Sequence, residues 1–282
     1  MTDKINKKTM SDAHNSHHAK KRRERRDQAR NTSHKPMRAK KHIEREEQSR
    51  LLIYGLHTVR NAIENPMRVK KKLYCTKNGL ARLELDENEA NLPAIEEFLP
   101  RDLDRMVGSD AVHQGVVLEV EPLTRQDLES LNDAKLVLVL DQVTDPHNVG
   151  AIMRSAVAMG AGGMITTSRY SPVESGVLAK SASGALDLIS HIEVRNLADC
   201  LEALHEKGFT TIGLDSEEAV AFETIGNQER IALVLGAEGK GLREKTRKTC
   251  QYLAKLDMPG PIKSLNVSNA AILSLYLASQ LL

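Results

Sequence analysis

The chain has 282 residues, enough for one large domain or two ordinary ones, and 40% of them are hydrophobic, enough for a real core. Aromatic residues make up only 3%, with no Trp, which argues against RNA binding by an array of surface aromatics. The net charge of +2 hides an asymmetry: residues 1–50 carry 16 Lys/Arg against 7 Asp/Glu, a basic arm on an acidic body, which points to a polyanionic partner for the arm.

Residues 1–49 are polar and nearly free of large aliphatics, so they are expected to be a disordered basic arm, densest at Lys20-Lys21-Arg22-Arg23-Glu24-Arg25-Arg26. His14, His17 and His18 lie in this loose stretch, which offers no fixed metal geometry. Order should begin near Leu51. Leu51-Leu52-Ile53-Tyr54-Gly55 leads into a helical pattern around Val59–Ile63, and Val69–Cys75 reads as a strand. Ala94–Phe98 looks helical, and Gly115–Val120 is a strand. Residues 50–121 should therefore form a small α/β domain, with a polar linker over 122–134.

From Lys135 the pattern changes to regular strand–helix alternation. Strands are expected at Leu136–Leu140, Met164–Thr167, Ile189–Val194, Thr210–Leu214 and Ile231–Leu235. Helices are expected at Val149–Met159, at Leu197–Glu206 closed by Gly208, and at Val267–Leu282. The last is too apolar for one exposed face, so it should be buried in the core or at a subunit contact. Such alternation means a mostly parallel sheet covered by helices, with ligands at the carboxyl ends of the strands. Cys75, Cys200 and Cys250 are far apart and form no Cys-x-x-Cys, which argues against a disulfide framework or a zinc site. No apolar run reaches membrane-spanning length and no secretory signal is recognisable, so a cytoplasmic location is expected.

Three strand-end loops carry candidate chemistry. In Asp141-Gln142-Val143-Thr144-Asp145-Pro146-His147-Asn148-Val149-Gly150, Asn148 is a candidate helix N-cap. Arg154 follows under two turns along the helix, placed to aim a guanidinium at the strand-end crevice and grip a phosphate. Gly236-Ala237-Glu238-Gly239-Lys240-Gly241 follows a buried strand and lets backbone approach a ligand, although it matches neither a Walker loop nor Gly-x-Gly-x-x-Gly. Met258-Pro259-Gly260-Pro261-Ile262-Lys263-Ser264-Leu265-Asn266-Val267-Ser268 sets polar side chains at the start of the apolar terminal helix. Capping accounts for one of Ser264, Asn266 and Ser268, not for all three.

Together these motifs, in order and spacing, resemble the SpoU (TrmH-like) family of RNA 2′-O-ribose methyltransferases of the SPOUT superfamily over residues 135–282. Lys180-Ser181-Ala182-Ser183-Gly184-Ala185 resembles a further family segment. Tyr54-Gly55-Leu56-His57 and His113-Gln114-Gly115 resemble the small substrate-binding domain, similar to ribosomal protein L30e, of the branch acting on a guanosine of large-subunit rRNA. The resemblance implies a deep trefoil knot in the catalytic domain, S-adenosylmethionine as cofactor, no metal, and an obligate homodimer. Gly236, Leu256 and Leu265, with Met258 and Gly260, would hold the cofactor. Arg154 and Asn148 would complete a site near the partner's pocket, with Glu238, Ser264 and Asn266 positioning neighbouring groups. Arginine is a poor base, so Arg154 is better read as a phosphate clamp that stabilises the developing alkoxide. One departure stands out: Leu256-Asp257-Met258 replaces the family's Ile-Pro-Met. Two other readings are a tRNA guanosine 2′-O-methyltransferase and a non-catalytic RNA-binding or assembly factor that kept the fold.

Overall fold

The computed structural model describes residues 50–85, 92–215 and 220–282. The basic arm expected over residues 1–49 and its histidines lie outside the described residues.

The first half alternates strands and helices: β1 (Leu51–Tyr54), α1 (Leu56–Glu64), β2 (Lys70–Cys75), α2 (Lys77–Leu83), β3 (Ala94–Glu97), α3 (Pro100–Val107) and β4 (Val116–Val120). Its sheet runs in the order β1-β4-β2-β3, with β4 antiparallel to both β1 and β2 and β3 parallel to β2. The two-residue period of the strands sorts the side chains. Ile53, Leu73, Val116 and Leu118 join the main core with Val59 and Ile63 of α1. Tyr54, Tyr74 and Val117 face the other way and pack with Leu103 of α3.

Ala94–Phe98, expected as a helix, contains the edge strand β3. Two causes override the helical composition. Leu99 precedes Pro100 and is held extended, so no helix can run through it, and Pro100 instead starts α3. Strand pairing with β2 then satisfies the backbone, assisted by ion pairs from Lys72 to Glu96 and from Lys77 to Glu97.

Residues 122–134 are no free linker. Gln126 bridges to Ile192, and Leu128–Leu131 forms a 3-10 turn that buries Leu131 completely. Arg125 reaches Glu193 and places its Nη1 2.6 Å from Nδ1 of the buried His191, whose Nε2 lies 3.0 Å from Thr166 Oγ1. Burial, and then the nearby Arg125 charge, push the His191 pKa from 6.5 down to about 3. Between those values an unfolded chain takes up a proton that the folded chain refuses. This contribution to stability is therefore complete above pH 6.5 and lost as pH falls, at up to about 1.4 kcal/mol per pH unit. Urea unfolding across pH 4–7 should show this slope in the native protein and a shallower one in His191→Gln.

The second half comprises β5 (Leu136–Asp141), α4 (Pro146–Ala158), β6 (Gly163–Thr167), α5 (Gly176–Ala182), β7 (Ser190–Val194), α6 (Leu197–Glu206), β8 (Thr210–Leu214), β9 (Val220–Ala221), β10 (Ile231–Gly236), α7 (Glu244–Thr249), β11 (Tyr252–Lys255) and α8 (Val267–Gln280). Its seven strands run β7-β6-β5-β10-β8-β11-β9, every pairing parallel. All six residues of β5 are buried, as a strand covered on both faces requires. The chain steps outward from β5 to β7, crosses to β8, and returns to lay β10 between β5 and β8. Parallel strands end on one edge, so the loops after β5, β8, β10 and β11 gather there.

Two helix starts refine the expectations. Asp145, not Asn148, caps α4, accepting a hydrogen bond from the His147 amide at 3.0 Å. Pro146 is best placed at the first helical position, which moves the cap one residue ahead of it and leaves Asn148 inside the first turn. Asn266 caps α8, its Oδ1 accepting from the Ser268 amide at 2.8 Å. Helix α8 packs against α4 and β10 through Val267, Ala271, Leu275 and Ala278, while Leu273 and Tyr276 on its other side remain about half exposed.

Residues Leu51–Leu282 pack as one unit. At the seam between its halves, the Arg68 guanidinium is fully buried and pairs with Asp187 at 2.8 Å and with Glu174. Those carboxylates also accept from Asn65 Nδ2 and the Leu123 amide. Arg68→Ala would strand two buried carboxylates, so it should lower the unfolding free energy by about 3–5 kcal/mol, readable by chemical denaturation.

Candidate active site

The site grows from the register of two strands. Gly236 ends β10 directly beside Asp141, the end of β5. The chain after Gly236 doubles back at once, closing Ala237–Gly241 with a hydrogen bond from the Gly241 amide to the Ala237 carbonyl at 2.9 Å. A Cβ at Gly236 would lie 2.1 Å from the Gly241 carbonyl carbon, so only glycine fits. Gly239 and Gly241 supply left-handed backbone, with φ of 74° and 65°.

An ion pair ties this loop to the end of β5. The Asp141 carboxylate is completely buried and accepts from Arg243 twice, from Nε at 2.6 Å and from the backbone amide at 3.1 Å. Asp141 therefore holds the start of α7 against β5, and with it the shape of the glycine loop. The same carboxylate, after burial, helps push the Cys250 thiol up to about 12. Cys250 is thus an inert packing thiol beside Gly213, not a nucleophile.

Two cavities open on this strand edge. The larger, about 730 Å³, lies between the end of β8 (Leu214, Asp215), the glycine loop (Gly239–Leu242), the start of α7 and the segment Lys255–Met258. Asp215 and Arg247 form an ion pair of 2.7 Å on its wall. The smaller, about 480 Å³, is lined by Gln142–Asp145 and Asn148 after β5, by Ala237 and Glu238 of the glycine loop, by Val267 at the start of α8 and by Tyr170. Lys240 lines both, so the glycine loop is the partition between them.

The sequence-derived residues distribute unevenly over this geometry. Leu256 and Met258 line the larger cavity, Asn148 and Glu238 the smaller, and Gly236 founds the partition. Leu265, Ser264 and Gly260 lie on the exposed segment between β11 and α8 and line neither cavity. Added to Gly260, a Cβ would meet nothing within 4 Å. Asn266 is engaged in capping α8 and holds Ser268 Oγ at 2.6 Å. Arg154 departs from the expectation of a crevice-facing guanidinium. It is exposed, lines neither cavity and makes no hydrogen bond or ion pair among the described residues. The helical period is the reason: six residues beyond Asn148 is about 240° around the axis, on another face.

Sequence reasoning missed the Asp141–Arg243 brace, the Asp215–Arg247 pair, and Gln142 and Tyr170. The last two line the smaller cavity with left-handed φ of 64° each. A charged residue ending the apolar run Leu136–Leu140 was the available signal for Asp141. No signal in the sequence announces a left-handed tyrosine. Among the described residues no group of His, Cys, Asp and Glu is arranged to hold a metal.

Residues 135–276 match the model of the SpoU rRNA Methylase family, and residues 52–126 match that of the RNA 2′-O ribose methyltransferase substrate-binding domain. The chain belongs to the SpoU rRNA methylase family. The 23S rRNA (guanosine-2′-O-)-methyltransferase RlmB of Pseudomonas putida is 38% identical over 237 residues, covering 79% of this chain and 94% of that protein. Its counterpart in Ralstonia nicotianae is 37% identical, covering 81% and 94%. Among solved structures, the SpoU methyltransferase AviRb of Streptomyces viridochromogenes, in complex with AdoMet, superposes with a TM-score of 0.68. It is 25% identical, over 84% of this chain and 92% of that one. The two cavities and their glycine partition therefore lie in the SpoU methylase portion of the chain.

Proposed function

We propose that this member of the SpoU family transfers a methyl group from S-adenosylmethionine to the ribose 2′-hydroxyl of a guanosine in large-subunit rRNA, in the cytoplasm. The observation that carries the reading is the pair of cavities on either side of the glycine loop, the larger for the donor and the smaller for the ribose. The larger has the volume of a cofactor pocket. Leu214, Leu242, Leu256 and Met258 give it apolar walls for a planar base, and Asp215 paired with Arg247 offers a fixed acceptor for hydroxyls. The absence of a side chain at Gly236 keeps the partition thin. These features fit S-adenosylmethionine, which when bound supplies an electrophilic methyl on a sulfonium.

The chain's own residues would align and stabilise. Asn148 and Glu238, which both line the smaller cavity, position the ribose so that its hydroxyl lines up with the partition. Asp141 and Arg243 hold that partition rigid. Arg154 acts from a second copy of the chain: its exposed, unpaired guanidinium would enter the partner's smaller cavity, clamp the phosphate next to the target and stabilise the alkoxide that develops as the hydroxyl proton passes to solvent. The half-exposed Leu273 and Tyr276 of α8 support such a homodimer. We also propose that the segment from β10 to α8 is threaded as a deep trefoil knot, a reading supported by the insertion of β10 between β5 and β8. In the same reading, residues 50–121 form a domain similar to ribosomal protein L30e that docks the RNA, and the basic arm adds salt-sensitive affinity.

Large-subunit rRNA is favoured over tRNA by the names of the relatives that cover nearly their whole length with this chain. The deciding experiment incubates the protein with labelled S-adenosylmethionine and either unmodified large-subunit rRNA or tRNA, then maps 2′-O-methylated positions. Methylation of one rRNA guanosine is expected. Transfer confined to tRNA, or none, would overturn the reading.

A further inference from the structure

We propose that Tyr170 is a stacking platform for the target nucleotide's base, held at the mouth of the smaller cavity by a deliberately strained backbone. This rests on the reading of that cavity as the ribose site.

All eight aromatic residues are described, and five are buried or partly buried in cores. Tyr170, Tyr252 and Tyr276 are exposed, and of these only Tyr170, 63% accessible, lines either of the two cavities. An exposed ring on a cavity wall, in a chain that places its other Phe and Tyr elsewhere, is a feature to be explained by what enters the cavity. Its backbone adds a second, independent observation. Tyr170 has a φ of 64°, a conformation that costs a bulky side chain free energy and persists only where the surroundings enforce it.

The enforcement is visible on both sides. Upstream, the Ser168 amide donates to Val194 of the sheet edge at 2.9 Å, and Thr167 Oγ1 donates to the Arg169 carbonyl at 2.5 Å. Downstream, Glu174 is fixed by the buried Arg68 of the first half and by the Leu123 amide, and Ser175 caps α5. The loop carrying Tyr170 is thus anchored to the sheet at one end and to the substrate-binding portion at the other. RNA seated on that portion would meet a ring whose position is already set.

The chemistry selects a nucleobase as the ligand. A ribose drawn into a cavity of about 480 Å³ leaves its base at the rim, separated from its neighbours in the strand. A single-stranded base recovers the lost stacking on an aromatic face, whichever base it is. Tyr170 would therefore supply affinity and position, while base identity is read elsewhere.

The test compares Tyr170→Phe, Tyr170→Trp and Tyr170→Leu in the full chain. The leucine variant retains an apolar side chain and the backbone strain but removes the π-face. Three quantities are read: affinity for an unmodified large-subunit rRNA transcript at raised salt, kcat/KM for methyl transfer to it, and affinity for S-adenosylmethionine. The expected result is wild-type behaviour for phenylalanine and tryptophan. For leucine, RNA affinity and kcat/KM should fall about 5- to 150-fold, with cofactor affinity unchanged. Leucine matching tyrosine in both RNA measurements would overturn the proposal. Weaker RNA binding by leucine, in a protein that methylates no RNA, would keep the platform and overturn the ribose reading instead.

Discussion

Gly236→Ala is expected to bind S-adenosylmethionine at least about 100-fold more weakly than the native protein, by calorimetry, and to lose methyl transfer with it. The added Cβ would sit 2.1 Å from the carbon and 2.2 Å from the oxygen of the Gly241 carbonyl, and 2.4 Å from the Leu242 amide nitrogen. All three are backbone atoms, so no rotamer change relieves the overlap. The loop must move outward by about an ångström, and overpacking of this kind costs about 1–3 kcal/mol or more. That movement displaces Lys240 and Leu242 from the larger cavity and Glu238 from the smaller. Gly239→Ala and Gly241→Ala are the controls. Each added Cβ would meet no protein atom, so neither forces the loop outward, and each adds the strain of a left-handed non-glycine residue, about 1–2 kcal/mol. Native affinity in Gly236→Ala would show that the partition does not shape the donor site.

Much of this arrangement was legible in the sequence because it depends on patterns with a local physical cause. Thr210–Leu214 and Leu197–Glu206 fall where the apolar periodicity put them, since a buried strand and an amphipathic helix each announce their period. The strand Ala94–Glu97 failed because its identity is set by a distant pairing with β2 rather than by its own composition. The polar run 122–134 failed for the same reason: Leu131 is buried only because the edge of the second sheet is there to receive it. Asn148, Glu238, Leu256 and Met258, which line the two cavities, were singled out by motifs. Asp141, Arg243 and Tyr170 were not, since their significance lies in a buried ion pair and a backbone angle that no linear spacing encodes.

The face on which Arg154 stands leads to the sharpest test of assembly. If its guanidinium serves a partner's cavity, Arg154→Ala should lower kcat by about 10²–10³-fold while leaving cofactor affinity near native, since electrostatic stabilisation of a developing charge is worth that much. The same loss would follow if Arg154 swung into its own cavity, so the single variant does not separate the two cases. Mixing does. Arg154→Ala and Gly236→Ala chains, each inactive alone, combine at random into dimers of which half are mixed. In a mixed two-fold dimer the Arg154→Ala chain offers an intact donor pocket and its partner offers an intact arginine, so one site of two is complete. Recovery to about one quarter of native activity is then expected on mixing after dissociation. No recovery, with mixed dimers demonstrated by differently tagged chains, would place Arg154 in its own chain's site. It would also require α4 or the loop before it to move, since in the present geometry Asn148 faces the cavity and Arg154 does not.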